Sequence, residues 1–485
     1  MKNDNIKLVL KGHSRYYMVI FLLLCIFSFF IFFVRGYYKK ISYISGDEPH
    51  YIMMTDSLSK DSDFNLKNDY QMGRSINYYS EAYLMPHISP LFNINSEKWY
   101  SIHTIGLPLL FYIPYKFLGV VGVRIVVCVI QLISIYLFFL ILKKYIKDPY
   151  RVLVCLVLIA SCSLFWQNFG RLFPDLIMVT LLGACILLYS KKGLVSNFIF
   201  MSIVFFGILI HSKVAVLLIP IYVTHLIQLI KVSGFREFIS KYFSLFLFLA
   251  IFIYLYIRFL YLNYGVLSPS RLYGNNGQLF SANLLTNILA IITDRGKGLL
   301  IYYPVLLIMG VYIARSISSL HLYIKKVIKN RSLTSNALLA WGVIIGSSSL
   351  LITQLGFSDW SGSYAPNGRY MLVFIFLLVF LIAKYVEYNR TLEIFTVFSL
   401  AGMSFLISIY FIFKDIRYID ASKELPITAR IDYYGILPIF SAISAKTSSP
   451  QIIKGLMIIF LVVVFNIFLF YLFKRSSLSK ITSKP

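Results

Sequence analysis

Twelve apolar runs, each close to the length that crosses a bilayer core, divide this chain and constrain what it can fold into. They lie at 16–34, 119–142, 152–169, 176–190, 195–211, 214–230, 240–262, 299–315, 336–356, 370–386, 391–413 and 451–473. A helix needs about 20 mostly apolar residues to span the hydrocarbon. Hydrophobic residues make up 59% of the chain and charged residues 14%. A soluble domain carries roughly 45–50% and about 25%, so a soluble fold is excluded, and the apolar content equally excludes disorder. The expected fold class is an all-α polytopic membrane protein. The first run ends in Phe29-Phe30-Ile31-Phe32-Phe33-Val34. It offers no small-residue cleavage site and reads as a signal-anchor.

The formal net charge of +26 would suggest nucleic acid in a soluble protein. Here its position decides its meaning. Lys2, Lys7, Lys11 and Arg15 precede the first run. Every second connection is then short and basic, as in Lys143/Lys144/Lys147/Arg151, Lys191/Lys192, Lys231/Arg236/Lys241 and Lys474/Arg475. By the positive-inside rule these are cytoplasmic, which puts both termini inside. Nucleic acid is not an expected partner; the lipid bilayer is. The opposite face holds a long polar loop over about 35–118, and further segments over roughly 263–298, 357–369 and 414–450. That first loop carries eight of the 20 acidic residues. Within it, 104–118 is apolar but short and has two prolines, so it reads as an interfacial or re-entrant helix. The five cysteines lie in apolar runs and imply no disulfides; Cys155 and Cys162, seven apart, would share one helix face.

Candidate chemistry gathers on the loop side. In Ser45-Gly46-Asp47-Glu48-Pro49-His50-Tyr51, Pro49 suits the first position of a helix. Asp47 and Glu48 then lie at its N-terminus and point in different directions, one toward a cavity and the other capping the helix. Asp61-Ser62-Asp63-Phe64-Asn65 mimics the start of a calcium loop. It has Leu66 where glycine is needed and Met72 where glutamate is needed, so it reads as a polar turn. His103 opens the re-entrant segment. His50, His103, Asp47 and Asp175 are of the types that ligate a metal, and their convergence is the alternative to a metal-free site. Cations and further acids stand at the loop-side ends of the runs: Arg171 and Asp175, His211 and Lys213, Arg258, Arg271, Asp294 with Arg295 and Lys297, and Arg369. Ionisable groups at membrane depth are costly, and snorkelling explains any single one better than the whole set. Several cations beside a carboxylate cluster suit a lipid-linked phosphate and a hydroxyl to be activated.

The string Gly46-Asp47-Glu48-Pro49-His50-Tyr51, with Asp61, Asp63 and Leu66-Lys67-Asn68-Asp69-Tyr70, resembles the first outer loop of bacterial GT-C fold glycosyltransferases. That superfamily includes the protein O-mannosyltransferases and the aminoarabinose transferases acting on lipid A. His103-Thr104-Ile105-Gly106-Leu107-Pro108 is similar to its re-entry segment. The stretch from Asp294-Arg295-Gly296-Lys297 to Pro304 is similar to a later outer loop, and Trp360 to Arg369-Tyr370 to a late element. The resemblance covers most of 1–386, implying a GT-C-like catalytic region there; 387–485 would add C-terminal transmembrane helices with the outer loop 414–450.

The resemblance implies an inverting transfer of a sugar from a polyprenyl-phosphate donor to an acceptor hydroxyl. The acceptor would be an envelope glycan, a lipid or a protein, outside the bacterial inner (plasma) membrane. Asp47 would be the base, with Glu48 and Asp175 as further catalytic candidates. Substrate would be bound by His50, Tyr51, His103, Arg171, Lys213, Arg271, Arg295, Lys297 and Arg369. No Trp-Trp-Asp string of the metal-dependent oligosaccharyltransferase branch is present. No cofactor is therefore expected to be required, with a divalent metal as the alternative. A transporter or flippase for a lipid-linked glycan, and a polysaccharide polymerase or ligase, are the competing classes. Transporters usually place their polar groups mid-membrane in repeated halves; here these groups gather at run ends, and the large loop comes first.

Overall fold

The computed structural model describes residue 26 and residues 46–79, 84–92, 95–267, 271–272, 291–292, 299–330, 334–356, 369–386 and 391–414. The expected runs at 16–34 (Ile26 apart) and 451–473 lie outside the described residues, as do most of the segments 263–298 and 357–369 and the outer loop 414–450 beyond Lys414. The described residues are mostly helical, with one isolated antiparallel bridge between Ile88 and Ser101.

In chain order the helices are α1 (Glu48–Lys60), α2 (Lys67–Gln71), α3 (Gly106–Tyr145), α4 (Pro149–Ala160), α5 (Ser163–Asn168), α6 (Pro174–Leu188), α7 (Leu194–Ile210) and α8 (Ser212–Ser233). Then come α9 (Phe235–Tyr264), α10 (Leu299–Tyr302), α11 (Met309–Asn330), α12 (Ser335–Gly356), α13 (Leu372–Tyr385) and α14 (Thr391–Lys414). Proline marks several starts. Pro49, Pro149 and Pro174 each stand in the first turn, where the missing N–H costs nothing. The Asp148 side chain also accepts the N–H of Tyr150.

Among the described residues, four helices are long and apolar enough to cross a membrane: α3, α8, α9 and most of α12. Phe243, Leu247, Ile251, Tyr254, Leu255 and Leu262 of α9 are exposed. Such a belt is a liability in water and suits a lipid bilayer. Other apolar helices, among them α4, α6 and α7, are shorter.

Two expected spans are interrupted. The run 152–169 is divided at Ser161–Cys162 into α4 and α5, so Cys155 and Cys162 do not share a helix face. The run 299–315 is broken by a 3-10 turn over Pro304–Ile308. Each break repairs the other. Tyr303 donates its hydroxyl to the Leu158 carbonyl (3.0 Å), Trp166 donates Nε1–H to the Ala160 carbonyl (2.6 Å), and Ser163 donates to the Tyr302 carbonyl. Carbonyls freed from a helix in an apolar surrounding require such partners. In α3 the boundary between 118 and 119 is a sharp kink. Gly119 has φ 58 and ψ −145, a conformation that glycine alone adopts without strain.

Gly342 and Gly346 of α12 let its backbone press on α8. A Cβ at Gly346 would run into the Leu217 carbonyl oxygen, and one at Gly342 into Thr224 Oγ1 and, at 2.9 Å, Ile221 Cα. This is small-xxx-small packing, in which dispersion at short range replaces the hydrophobic effect. Gly346→Ala is expected to lower stability by about 1–3 kcal/mol through overpacking, read as a lower unfolding midpoint in detergent. An unchanged midpoint would mean that α8 and α12 do not meet this closely.

Farther along, Arg315 of α11 donates to both Glu393 oxygens (2.6 and 3.2 Å), Tyr312 donates to the same carboxylate (3.0 Å), and Arg315 also donates to the Tyr385 carbonyl. This network joins α11, α13 and α14 where α13 ends. Another set of buried ionisable groups, Asp175, Lys213 and Arg369, stands where α6, α8 and α13 begin, beside the start of α1.

Candidate functional site

The chain turns at Gly46 into Asp47, the N-cap position of α1. The Asp47 side chain makes no cap hydrogen bond. Its Oδ2 accepts from Arg369 Nη2 at 3.1 Å, across 322 residues of sequence. Arg369 sits in a 3-10 turn just before α13 and is buried. Its guanidinium carbon lies 4.1 Å from the Phe173 ring centroid and 4.7 Å from that of Tyr370. Its Nη2 also donates to the Tyr370 hydroxyl (2.8 Å), and its Nε is 3.8 Å from Asp175 Oδ2. Lys213 Nζ stands 3.7 Å over the Tyr370 ring. The first turns of α6 and α8 and the turn entering α13 therefore supply Asp175, Lys213 and Arg369 to one place. Helix N-termini add partial positive charge there.

Against this cluster lies a group of histidines. The segment 87–89 pairs with 100–102: Ser89 N–H donates to the Tyr100 carbonyl (2.9 Å) and Ile102 N–H to that of His87 (3.4 Å). The pairing sets His87 beside His103, with Nδ1 of His87 3.1 Å from Nε2 of His103. His103 Nε2 is 3.9 Å from Asp47 Oδ1. Tyr70 ties the group together: its hydroxyl accepts the His87 N–H (3.1 Å) and lies 2.8 Å from Nδ1 of His50. The Tyr51 ring stacks 4.6 Å from that of His103.

The electrostatics follow from burial and neighbours. Burial opposes charge on Asp47, but His103, Arg369 and His87 outweigh it and hold the carboxyl well below the usual range. Arg369, the member always charged, fixes that direction. Burial pushes His103 down to about 3 despite Asp47, and lowers His50 and His87 too. Near neutral pH the site holds an ionised carboxylate beside uncharged imidazoles.

Glu48 has a different task from the one expected. Its Oε1 accepts the Leu172 N–H (2.9 Å) and its Oε2 lies 3.7 Å from Arg171 Nη1. A fully buried carboxylate thus anchors the loop 170–173 that carries Phe173 to Arg369. Glu48→Ala removes that acceptor and is expected to cost about 1–3 kcal/mol, the penalty for stranding a buried N–H. The measurement is a thermal unfolding midpoint. A Glu48→Gln variant, which keeps an acceptor oxygen, should lose less; equal losses would refute the anchoring role.

The structure thus joins Asp47, His103, Lys213, Asp175 and Arg369, with His50 and Tyr51 packed behind and Glu48 with Arg171 supporting the loop. Arg271 does not join them. It is exposed, next to Leu272, which packs with Tyr100 and Tyr264; its position follows that apolar anchor. Arg295 and Lys297 lie outside the described residues. The Asp61–Asn65 stretch is a turn: Asp61 and Asp69 both accept from Arg74 Nη1 at 2.6 Å, and Asp63 accepts from Ser57 and the Asn65 N–H. His87 and Phe173 escaped the sequence reading, and Tyr70 and Tyr370 stood in the strings that carry the resemblance without a site role. One signal for His87 was available, since three of the seven histidines fall between 50 and 103.

Arg369 Nε and Nη1 and Asp175 Oδ2 are buried with no hydrogen-bond partner among the described residues. Buried charged donors without acceptors are expensive. A ligand with anionic oxygens would relieve the arginine. Among protein families, curated proteins and solved structures, nothing matches this chain.

Proposed function

We propose that this chain is an integral membrane glycosyltransferase. It moves a sugar from a polyprenyl-phosphate donor to an acceptor hydroxyl of an envelope glycan, lipid or protein. The architecture that goes with this reading is of GT-C type, with about twelve spans in the bacterial inner membrane, both termini cytoplasmic and the site on the extracytoplasmic face. One observation carries it: the part-exposed Asp47 meets the buried Arg369 and Asp175 in one cluster, and Arg369 keeps donors to spare.

In this reading Arg369 and Lys213 receive the donor phosphate. The bond from the anomeric carbon to the phosphate oxygen breaks as the acceptor oxygen attacks from the opposite side, which inverts the centre. The electron pair leaves on polyprenyl phosphate, whose negative charge the cations stabilise, so no acid is needed. The acceptor proton passes to Asp47, which is ionised near neutral pH. Positive charge developing on the sugar ring is favoured by Asp175. Phe173 and Tyr370 sandwich the arginine and fix its fork toward the phosphate. Reconstitution with labelled polyprenyl-phosphate sugars and candidate acceptors tests this. Polyprenyl phosphate released in step with glycosylated acceptor is expected. Donor translocated across the vesicle, or hydrolysed, without acceptor being glycosylated would overturn it.

A further inference from the structure

The transfer reading leaves the imidazoles of His87 and His103 without a task. The geometry points to a binding site for one divalent ion of the zinc type, held by Asp47, His87 and His103. A donor atom from each lies within 4.8 Å of the donor atoms of the other two. Zinc bonds nitrogen and oxygen at about 2.0–2.2 Å, so tetrahedral ligands stand about 3.4 Å apart. The separations of 3.1 Å between His103 and His87 and 3.9 Å between His103 and Asp47 bracket that spacing. The third pair, His87 and Asp47, lies within 4.8 Å, so the carboxylate and the imidazole would have to close by about an ångström, a side-chain rotation, to seat the ion.

The bland account is a hydrogen bond between two imidazoles. It explains the 3.1 Å contact but not why Oδ1 of Asp47 faces the same nitrogen at 3.9 Å, a separation too long for a hydrogen bond. Two imidazoles and a carboxylate form a donor set that suits zinc; magnesium and calcium prefer oxygen throughout. The outer groups hold the ligands in place. The paired segments 87–89 and 100–102 fix the two histidines, the Tyr70 hydroxyl holds the His87 backbone, and Arg369 binds the far oxygen of Asp47. Metal-ligating carboxylates and histidines are usually oriented by hydrogen bonds of this kind. Arg369 beside a dication is a repulsive element, offset by Asp175 at 3.8 Å from its Nε. The Asp47 side chain is 29% exposed, which leaves an entry path and an open position for water or a substrate oxygen. This departs from the metal-independent chemistry implied by the family resemblance. It concerns binding alone and stands or falls separately from the transfer reading.

The test uses the purified full chain in detergent, stripped with a chelator and titrated with Zn2+ by calorimetry and with Co2+ by visible absorption. One equivalent of saturable metal is expected, with Co2+ bands of four- or five-coordinate geometry. His87→Ala and His103→Ala should each weaken binding at least tenfold, whereas Asp61→Asn, in the neighbouring acidic turn, should not change it. Absence of saturable binding overturns the site. So does undiminished affinity in His87→Ala, which would mark the metal as adventitious. Should His103→Ala fail to fold, the half-buried His87 position decides alone. No sugar donor enters the measurement, so a failed transfer assay leaves this result untouched.

Discussion

Asp47→Asn is expected to lower sugar transfer by about 10²–10⁴-fold, the usual worth of a positioned proton acceptor. Asparagine has nearly the same shape, so the turn at Gly46 and the start of α1 remain. It carries no charge, cannot take the acceptor proton, and no longer pairs with Arg369 at 3.1 Å. Binding of the donor should persist or tighten, because the guanidinium loses a competing anion. The two readouts separate catalysis from folding: transfer collapses while polyprenyl-phosphate affinity does not. Full transfer by Asp47→Asn would remove this residue from the chemistry. Loss of donor binding together with transfer would instead indicate a collapsed site.

Arg369→Ala is expected to weaken binding of polyprenyl phosphate by about 10–100-fold. A hydrogen bond to a charged group is worth about 1.5–3 kcal/mol, and each 1.4 kcal/mol is a factor of ten. The same change leaves Asp47 and Asp175 facing a void without their shared cation, so a lower unfolding midpoint should accompany it. Arg369→Lys separates the two effects. Lysine keeps the charge that stabilises the carboxylates, but it lacks the planar fork that stacks between Phe173 and Tyr370. It should recover most of the stability and only part of the affinity. Donor affinity unchanged in the alanine variant would place the phosphate elsewhere.

Much of the local structure was legible in the chain. Pro49 announced the start of α1, and the two prolines and short apolar run before residue 119 announced a separate segment, which the kink at Gly119 delivers. These are short-range effects, set by fixed φ angles and missing N–H groups. The break at Ser161–Cys162 was not legible within an uninterrupted apolar run, whereas Pro304, without an N–H, was a local signal for the break after Tyr303. They persist because Tyr303 and Ser163 reach carbonyls across 145 and 139 residues of sequence, a partnership nothing local encodes, while Trp166 closes on Ala160 within its own run.

The same division runs through the site. By itself the sequence determined a helical, apolar chain that must bury its backbone polar groups. It marked Asp175, Lys213 and Arg369, together with Arg171, His211, Arg258, Arg271, Asp294, Arg295 and Lys297, as ionisable groups too costly to stand idle near a membrane, and Asp47 and His103 through their motifs. The tertiary structure alone decided their partners. Asp47 faces Arg369 and the histidines, while its neighbour Glu48 turns away to hold the loop at Leu172. His87 joined through the pairing of 87–89 with 100–102, and Arg271 stayed outside. The physical reason is that a residue's cost of burial is readable from its chemistry, whereas which group offsets that cost depends on which helix ends pack together, across separations as long as 322 residues.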